Sequence, residues 1–350
     1  MSALTLEITR DALSAIGEDS ALDWQLQPET HALSLPPSAG ALKRVLERDI
    51  FASAVEAYKT NDAAAISSRK QRVFYAGWAA ALSFISIVCA SILLVVFGLA
   101  PSATDPIVTT LSIIIGLSIS LSFMLSLLEK WFDPAQKWMA SRAVAENARM
   151  RLFNEAVAAE EPVKANELPL LPLQLEYYRR YQLDVQKRYY EGRGAKHQSV
   201  VRWSTGVRVV ALVMVLVAGL PEVSSLAGYS STDWLGAAID PDLETRIFVG
   251  LSTIGAALQG WLAARLLMGL DERNAARYMS TAENLIALSG RALEEARNAA
   301  STGDRKAVLG FVALVQEQVS SEHREWISLK QVSPELSLSR LRELSLPRLV

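Results

Sequence analysis

Between Val73 and Leu99 there is no charged side chain. The run is rich in Ala, Leu, Ile, Val and Phe, and it exceeds the roughly 20 residues that carry a helix across a hydrocarbon core. Ile107 to Leu128 repeats the pattern and ends at Glu129, Lys130 and Trp131. The seven-residue connection between the two runs contains Pro101, Asp105 and Pro106, which predicts an antiparallel helical hairpin. A second pair follows. Arg208 precedes the uninterrupted run Val209 to Leu220, and Pro221 and Glu222 close it. A span from Trp203 to about Gly228 requires Arg208 to snorkel to one interface and Glu222 to sit near the other; a pore-facing Glu222 is the alternative. The fourth span, Ile247 to Met268, is apolar except for Gln259 and Arg265. The expected fold class is therefore an all-α integral membrane protein, with four transmembrane helices in two tandem hairpins. Each hairpin carries a cytosolic helical, coiled-coil-like stalk.

Loop charge sets the orientation. Arg69, Lys70 and Arg72 precede the first span and Lys130, Lys137 and Arg142 follow the second; Arg193, Lys196 and Arg202 precede the third and Arg265, Arg273 and Arg277 follow the fourth. The opposite loops hold Asp105, Glu222, Asp233, Asp240, Asp242 and Glu244, with no cation until Arg246. Positive-inside reasoning puts both termini and both stalks in the cytosol. The start, MSALTLEITRDALSAIGEDS, lacks a basic stretch followed by an apolar run, so a cleaved secretory signal is not expected.

Polar periodicity organises the remainder. Residues 1–68 read as a cytosolic segment, loosely ordered over the first 40, with one amphipathic helix from Ala41 to about Lys59 that offers Leu42, Val45, Leu46, Ile50 and Val55 to one face. Residues 69–160 form the first hairpin and stalk, 161–172 a Pro-rich connection, 173–330 the second hairpin and stalk, and 331–350 a tail. Ala145-Glu146-Asn147 and Ala282-Glu283-Asn284 recur 137 residues apart, each in the helical stretch after a hairpin, which reads as a duplicated unit. In the second stalk Ala275, Met279, Ala282, Ile286, Ser289, Leu293 and Ala296 alternate in steps of four and three, the seam of a narrow helical interface. Gly303 and Asp304 break it, and Val308, Phe311, Val315, Val319, Glu322 and Trp326 share one face of the next helix. Glu146, Met279, Ile286 and Trp326 are the expected stalk-packing positions.

A net charge of −2 gives no basic field for nucleic acid, and the single Cys89 excludes an intrachain disulfide. Three separated histidines, His31, His197 and His323, leave little for a metal. There is no Gly-rich phosphate loop and no nucleophile motif, so neither a cofactor nor an enzymatic activity is expected. The stretch Leu173 to about Lys196 is basic and tyrosine-rich; Arg179, Arg180, Lys187 and Arg188 are candidates for anionic head groups or a ligand, and the tyrosines for stalk packing. In the second span Ser112, Gly116 and Ser120 lie four residues apart, beside a parallel stripe of Ser118, Ser122 and Ser126. With Ser252, Gln259 and Glu222 the first stripe is a candidate pore lining; the competing reading is close helix packing through small residues.

A hairpin followed by a helix carrying Arg142-x-x-Ala145-Glu146 resembles the SLATT family of two-helix membrane effectors. Tyr181-x-x-Asp184-x-Gln186-x-x-Tyr189-Tyr190, Ala282-Glu283 and Glu322-x-x-x-Trp326 strengthen the likeness in the second half. It covers roughly residues 45 to 330 as two fused copies. The resemblance implies a prokaryotic conflict-system effector in the plasma (inner) membrane, which oligomerises and perforates that membrane when a partner enzyme makes a nucleotide signal. It brings no catalytic residues. The partners implied are the bilayer, further copies of the chain, and a nucleotide-signal synthase or sensor.

Overall fold

The computed structural model describes residues 3–17, 26–98, 105–226, 241–269 and 271–329. In order they form α1 (Ala3–Ile16), α2 (Pro28–Ser34), a 3-10 turn (Pro37–Ala39), α3 (Gly40–Leu46), α4 (Asp49–Phe97), α5 (Pro106–Phe132), α6 (Pro134–Ala158), α7 (Leu170–Tyr178), a π segment (Arg179–Leu183) and α8 (Asp184–Leu226). Then come α9 (Pro241–Gly269), α10 (Asp271–Ala287), a second π segment (Leu288–Ala292), α11 (Leu293–Thr302) and α12 (Arg305–Leu329). Among the described residues there is no strand.

Four helical stretches are long and apolar enough to cross a membrane, and the protein is a multi-pass membrane protein. Hydrocarbon offers no water to backbone amides, so a spanning segment must satisfy them within its own helix. The chain buries only 11% of the apolar window of the first and third spans and 17% of the second and fourth. The remaining surface is free for lipid or protein. Helix α5 begins where the sequence stops it from beginning earlier: Pro106 occupies its first turn, and the Asp105 carboxylate accepts a bond from the Ile107 N–H at 2.7 Å. It ends at Asp133, which takes the left-handed conformation (φ 38°) and donates its N–H to the Glu129 carbonyl at 3.0 Å. Helix bounds repeat at the spacing of the Ala-Glu-Asn triplets: Phe132 to Gly269, and Pro134 to Asp271, are each 137 residues apart.

The described residues divide into two compact units. One draws on Met1–Ser68, Gln136–Ala195 and Ala275–Val350, the other on Arg69–Ala135 and Lys196–Asn274. In the first unit α7 is central, with all nine of its residues buried. Leu173, Leu175, Tyr177 and Tyr178 pack in one core with Leu42, Leu46, Leu152, Phe153, Val308 and Val315. Each such aliphatic side chain contributes about 1.5–3 kcal/mol when fully removed from water. Polar side chains close the ends of the core helices. Arg305 Nη1 donates to the carbonyls of Val157, Ala158 and Ala159 at 2.9, 3.1 and 3.2 Å, and Gln174 Nε2 donates to those of Ala156 and Ala159 at 2.8 and 2.7 Å. Together they satisfy the open C-terminal carbonyls of α6.

Three sequence expectations change here. The first 40 residues were expected to be loose, yet Ala12, Ile16, Leu26, Ala32 and Ala39 are buried in the core. Small and aliphatic positions on α1 and α2 suffice to dock them. The amphipathic helix expected from Ala41 to about Lys59 is two helices, α3 and α4, interrupted at Glu47 and Arg48. That interruption re-phases the chain, so Phe51 and Val55 turn inward and Ile50 is exposed. In the second stalk Ala275, Ala282, Leu293 and Ala296 of the expected seam are buried, but Met279 and Ile286 are 39% and 47% exposed; Tyr278 and Leu285 take the inward positions. A straight helix drifts off a strict 3.5-residue seam. The π segment at Leu288–Ala292, with Gly290 at φ −91° and ψ −116°, then resets the phase before Leu293. Met279 still packs beside Gly194. Trp326 and Glu322 lie on α12, but their side chains are outside the described residues.

The 159–169 connection is held by two cations, Arg44 and Arg48, the latter donating to Glu161 Oε2 at 2.8 Å. Arg44 donates to Glu161 Oε1 at 2.8 Å, to the two oxygens of Glu167 at 2.7 and 3.0 Å, and to the Pro162 carbonyl at 2.6 Å. The bond from Arg44, with a further bond from the Lys164 N–H, lowers the Glu167 carboxyl to about 2. A depressed carboxyl stabilises the fold above its ordinary pKa and loses that contribution as the pH falls through the folded value. Thermal unfolding of the full chain in detergent, followed by tryptophan fluorescence, is therefore expected to separate wild type from Glu167→Gln at pH 7. The gap should close between about pH 4.5 and 2; a gap of unchanged size at pH 2 contradicts the assignment.

Candidate functional site

The spanning unit is assembled through small residues. Ser83 and Ser122 hydroxyls meet at 2.8 Å, and Ser122 also donates to the Ala79 carbonyl at 2.8 Å, joining α4 to α5. A Cβ placed on Gly250 would reach Val95 at 2.5 Å, and one on Gly255 would reach Val215 and the Ala211 carbonyl at 2.9 and 3.0 Å. Those two glycines let α9 lie close against α4 and α8. Ring contacts of Trp261 with Phe84 (6.2 Å) and Trp203 (6.3 Å) add to the same seams. Arg208, expected to snorkel alone, pairs with Glu272 at 3.1 Å.

The residues expected to line a pore divide. Ser112, Gly116 and Ser120 are exposed on α5, while the parallel stripe contributes Ser118 and Ser122 to the buried face, with Leu125. Ser252 and Gln259 are half-buried on α9. Glu222 lies within helical backbone, but its side chain is outside the described residues. The five whose side chains are described are thus not gathered around one cavity within a single chain. Among the described residues a crevice of about 590 Å³ lies between α4 and α9, lined by small residues such as Ala80, Ala256 and Gly260 and by the bulkier Phe84, Ile87 and Trp261.

The basic stretch is also redistributed. Arg179 is paired with Glu176 and Asp184, both at 2.6 Å; Lys187 bonds Asp184 at 3.2 Å; Arg180 donates to the Ile16 carbonyl and lies over the Tyr181 ring at 4.8 Å. These three, candidates for anionic head groups or a ligand, are half-buried and make these bonds within the first unit. The carboxylate partners of Arg179 and Lys187 come from the same turns, which a reading of net basic composition overlooks. Arg188 is exposed.

Residues of the family-like motifs do converge. Arg142 holds both Glu146 and Asp62, the latter at 2.8 Å. Arg149, two turns on, donates to Gln182 at 2.8 Å. Glu146, Arg149, Gln182 and Gln186 are all buried. Tyr190, from the same motif as Gln186, packs against Tyr278 at 5.6 Å. Arg149, Gln182 and Asp62 were not anticipated. The available signal was the spacing of Arg142, Glu146 and Arg149 in steps of four and three, on the face of α6 that also carries buried Ala145, Leu152 and Phe153. Charges in that register must find partners or remain uncompensated. The two Ala-Glu-Asn triplets diverge: Ala145 and Ala282 are both buried, but Glu146 is buried and Glu283 exposed.

No family model, curated protein or solved structure matches the chain.

The salt bridges and hydrogen bonds of the cluster join α6 to α4 and to the π segment Arg179–Leu183. Removing the buried Glu146 carboxylate leaves Arg142 with Asp62 alone, a loss of about 1.5–3 kcal/mol for a charge-assisted bond. Glu146→Gln is expected to lower stability in detergent by about that amount, whereas Glu283→Gln at the repeated position should change it by less than about 0.5 kcal/mol. Equal effects at the two positions would refute the difference in roles.

Proposed function

We propose that the protein is a membrane effector that oligomerises and forms a pore, or otherwise perturbs the bilayer, in a prokaryotic antiphage or conflict response. The carrying observation is the exposed Ser112-Gly116-Ser120 stripe. It is a small and weakly polar face left over after α5 has used Ser118 and Ser122 for packing inside the chain. Lipid gains nothing from such a face, whereas another protein helix gains close approach. In this reading the spans form two hairpins in the inner membrane, both termini are cytosolic, and the helices beyond the spans are stalks that receive the trigger from a nucleotide-signal synthase or sensor. Half-buried Gln259 marks the polar midpoint of the assembled path. The SLATT-like motifs support the effector role.

A second reading has its own observation. The first unit exposes Met279, Ile286 and Leu314, the last at 51%, and such positions suit a scaffold that recruits a cytosolic partner without conduction.

Detergent-free reconstitution into dye-loaded liposomes, with particle mass measured by mass photometry, decides between them. The expected result is an assembly larger than a monomer that releases ions, with release altered by Gln259→Leu. A stable assembly that leaks neither ions nor dye, with or without cyclic oligonucleotides, while binding a cytosolic protein through its stalks, establishes the scaffold instead.

A further inference from the structure

One face of α8 changes its chemistry along its length. Lys196, Ser199, Trp203, Gly206, Val210 and Val213 follow at alternating steps of three and four, which sets them in one row on a helix. All six are exposed, Trp203 at 55%, Val210 at 56% and Val213 at 51%. Ser204, Ala211 and Ala218, seven residues apart, are buried and form the packed side of the same helix. Arg202, also exposed, borders the row next to Trp203. From its first residue onward the row presents a cation, a hydroxyl, an indole ring, a gap and then methyl groups. A Cβ built on Gly206 meets nothing within 4 Å, so the gap is open.

Charge selects the occupant. Among the described residues the side chains of Lys196 and Arg202 make no hydrogen bond or ion pair, whereas Arg208, six residues beyond Arg202, is paired with Glu272 at 3.1 Å. Ser199 returns its hydrogen to the Lys196 carbonyl at 2.8 Å, so the two cations are the donors this face offers. They lie about 9 Å apart along the axis, at 1.5 Å per residue, and the Lys196 stem can carry its ammonium back toward the apolar run. Trp203, whose ring meets that of Trp261 at 6.3 Å, stands at the step from charge to hydrocarbon, where indoles collect at membrane surfaces. A water-soluble anion gains nothing from the valines. A second copy using the same face would set Lys196 and Arg202 against their own counterparts, which like charge opposes. A phospholipid with a net negative head group meets the whole row: phosphate at Arg202 and Lys196, glycerol region at Trp203 and Gly206, acyl chain along Val210 and Val213.

We infer that this face of α8 binds an anionic phospholipid, its head group held by Arg202 and Lys196 and its chain by the valines beyond Gly206. The inference needs only that the chain spans the membrane, and it holds with or without a pore.

The test is thermal unfolding of the full chain in a neutral detergent with phosphatidylglycerol, phosphatidylcholine or inorganic phosphate added, alongside native mass spectrometry of the same samples. Phosphatidylglycerol is expected to raise the unfolding temperature more than phosphatidylcholine does, and Lys196→Gln/Arg202→Gln to lose at least half of that difference. Both side chains are exposed, so the variant gives up no packing. Arg202→Lys, which keeps the charge, should retain most of the difference. Arg151→Gln/Lys306→Gln, which removes two exposed cations from the first unit, should retain all of it. Phosphatidylglycerol bound per chain should fall in the same order. Equal shifts for the two lipids overturn the inference, as does a difference untouched at Lys196 and Arg202 or lost equally in Arg151→Gln/Lys306→Gln. A shift reproduced by inorganic phosphate assigns the cations to a free anion and overturns it too. So does dissociation of an assembly in Lys196→Gln/Arg202→Gln with bound lipid unchanged, which assigns the face to a second copy.

Discussion

The absence of water between the lipid leaflets is the constraint on which the spanning unit depends. It demands that polar groups be satisfied inside the helix, and the hydroxyl side chains obey the same demand. Ser86, Ser91, Ser126, Ser252 and Thr253 donate to carbonyls three or four residues earlier in their own helices. Ser83 and Ser122 are the ones that bridge α4 and α5. A serine-rich span is thus compatible with lipid at little electrostatic cost. What its serines change is chiefly thickness. Glycine and serine set how near two helices come, and Gly250 and Gly255 do so for α9 against both of its neighbours.

Outside the apolar spans the balance is different, because burial there sets charge against charge. Glu176, 1% exposed, receives Arg179 from its own turn and Arg297 from α11 at 2.7 Å. Glu146 plays the corresponding part between α6 and the first stretch of α4 through Arg142 and Asp62. Asn154 and Gln316 add a reciprocal amide pair between α6 and α12, at 3.0 and 2.6 Å. Such pairs add little net stability compared with well-packed apolar residues, but losing one partner is costly. Their effect is to fix which turn of one helix faces which turn of another, where alanine-rich faces alone permit sliding.

The four apolar spans were legible in the sequence because hydrocarbon imposes a length and a composition that few other environments require. The break at Asp133 was legible as well: the second span ends at Glu129, Lys130 and Trp131, and Asp133 precedes Pro134, which disfavours the α conformation. The phase of the second stalk was half legible. Ala275 and Ala282 fit a seam of steps four and three, but a π segment inserts part of a turn without leaving a mark in the hydropathy pattern. The cluster around Arg142 was legible on one side only: its spacing on α6 is local, whereas Asp62 lies 80 residues away and Gln182 lies 33 from Arg149. Pairings of that range come from topology and leave no local pattern.

This bears on how polar side chains within the spans are weighed. A hydroxyl that returns its hydrogen to its own helix, as that of Ser126 does, carries no information about water, whereas small residues such as Ser112, Gly116 and Ser120 suit close approach of helices. Gln259 is different. Its amide has two N–H donors and a carbonyl, more capacity than one turn of helix backbone can meet. In hydrocarbon the surplus must be met by another helix or by water. On the proposed reading the small-residue stripes bear on helix contact between copies, while Gln259 bears on whether such contact encloses a wet path; either property can be lost while the other remains.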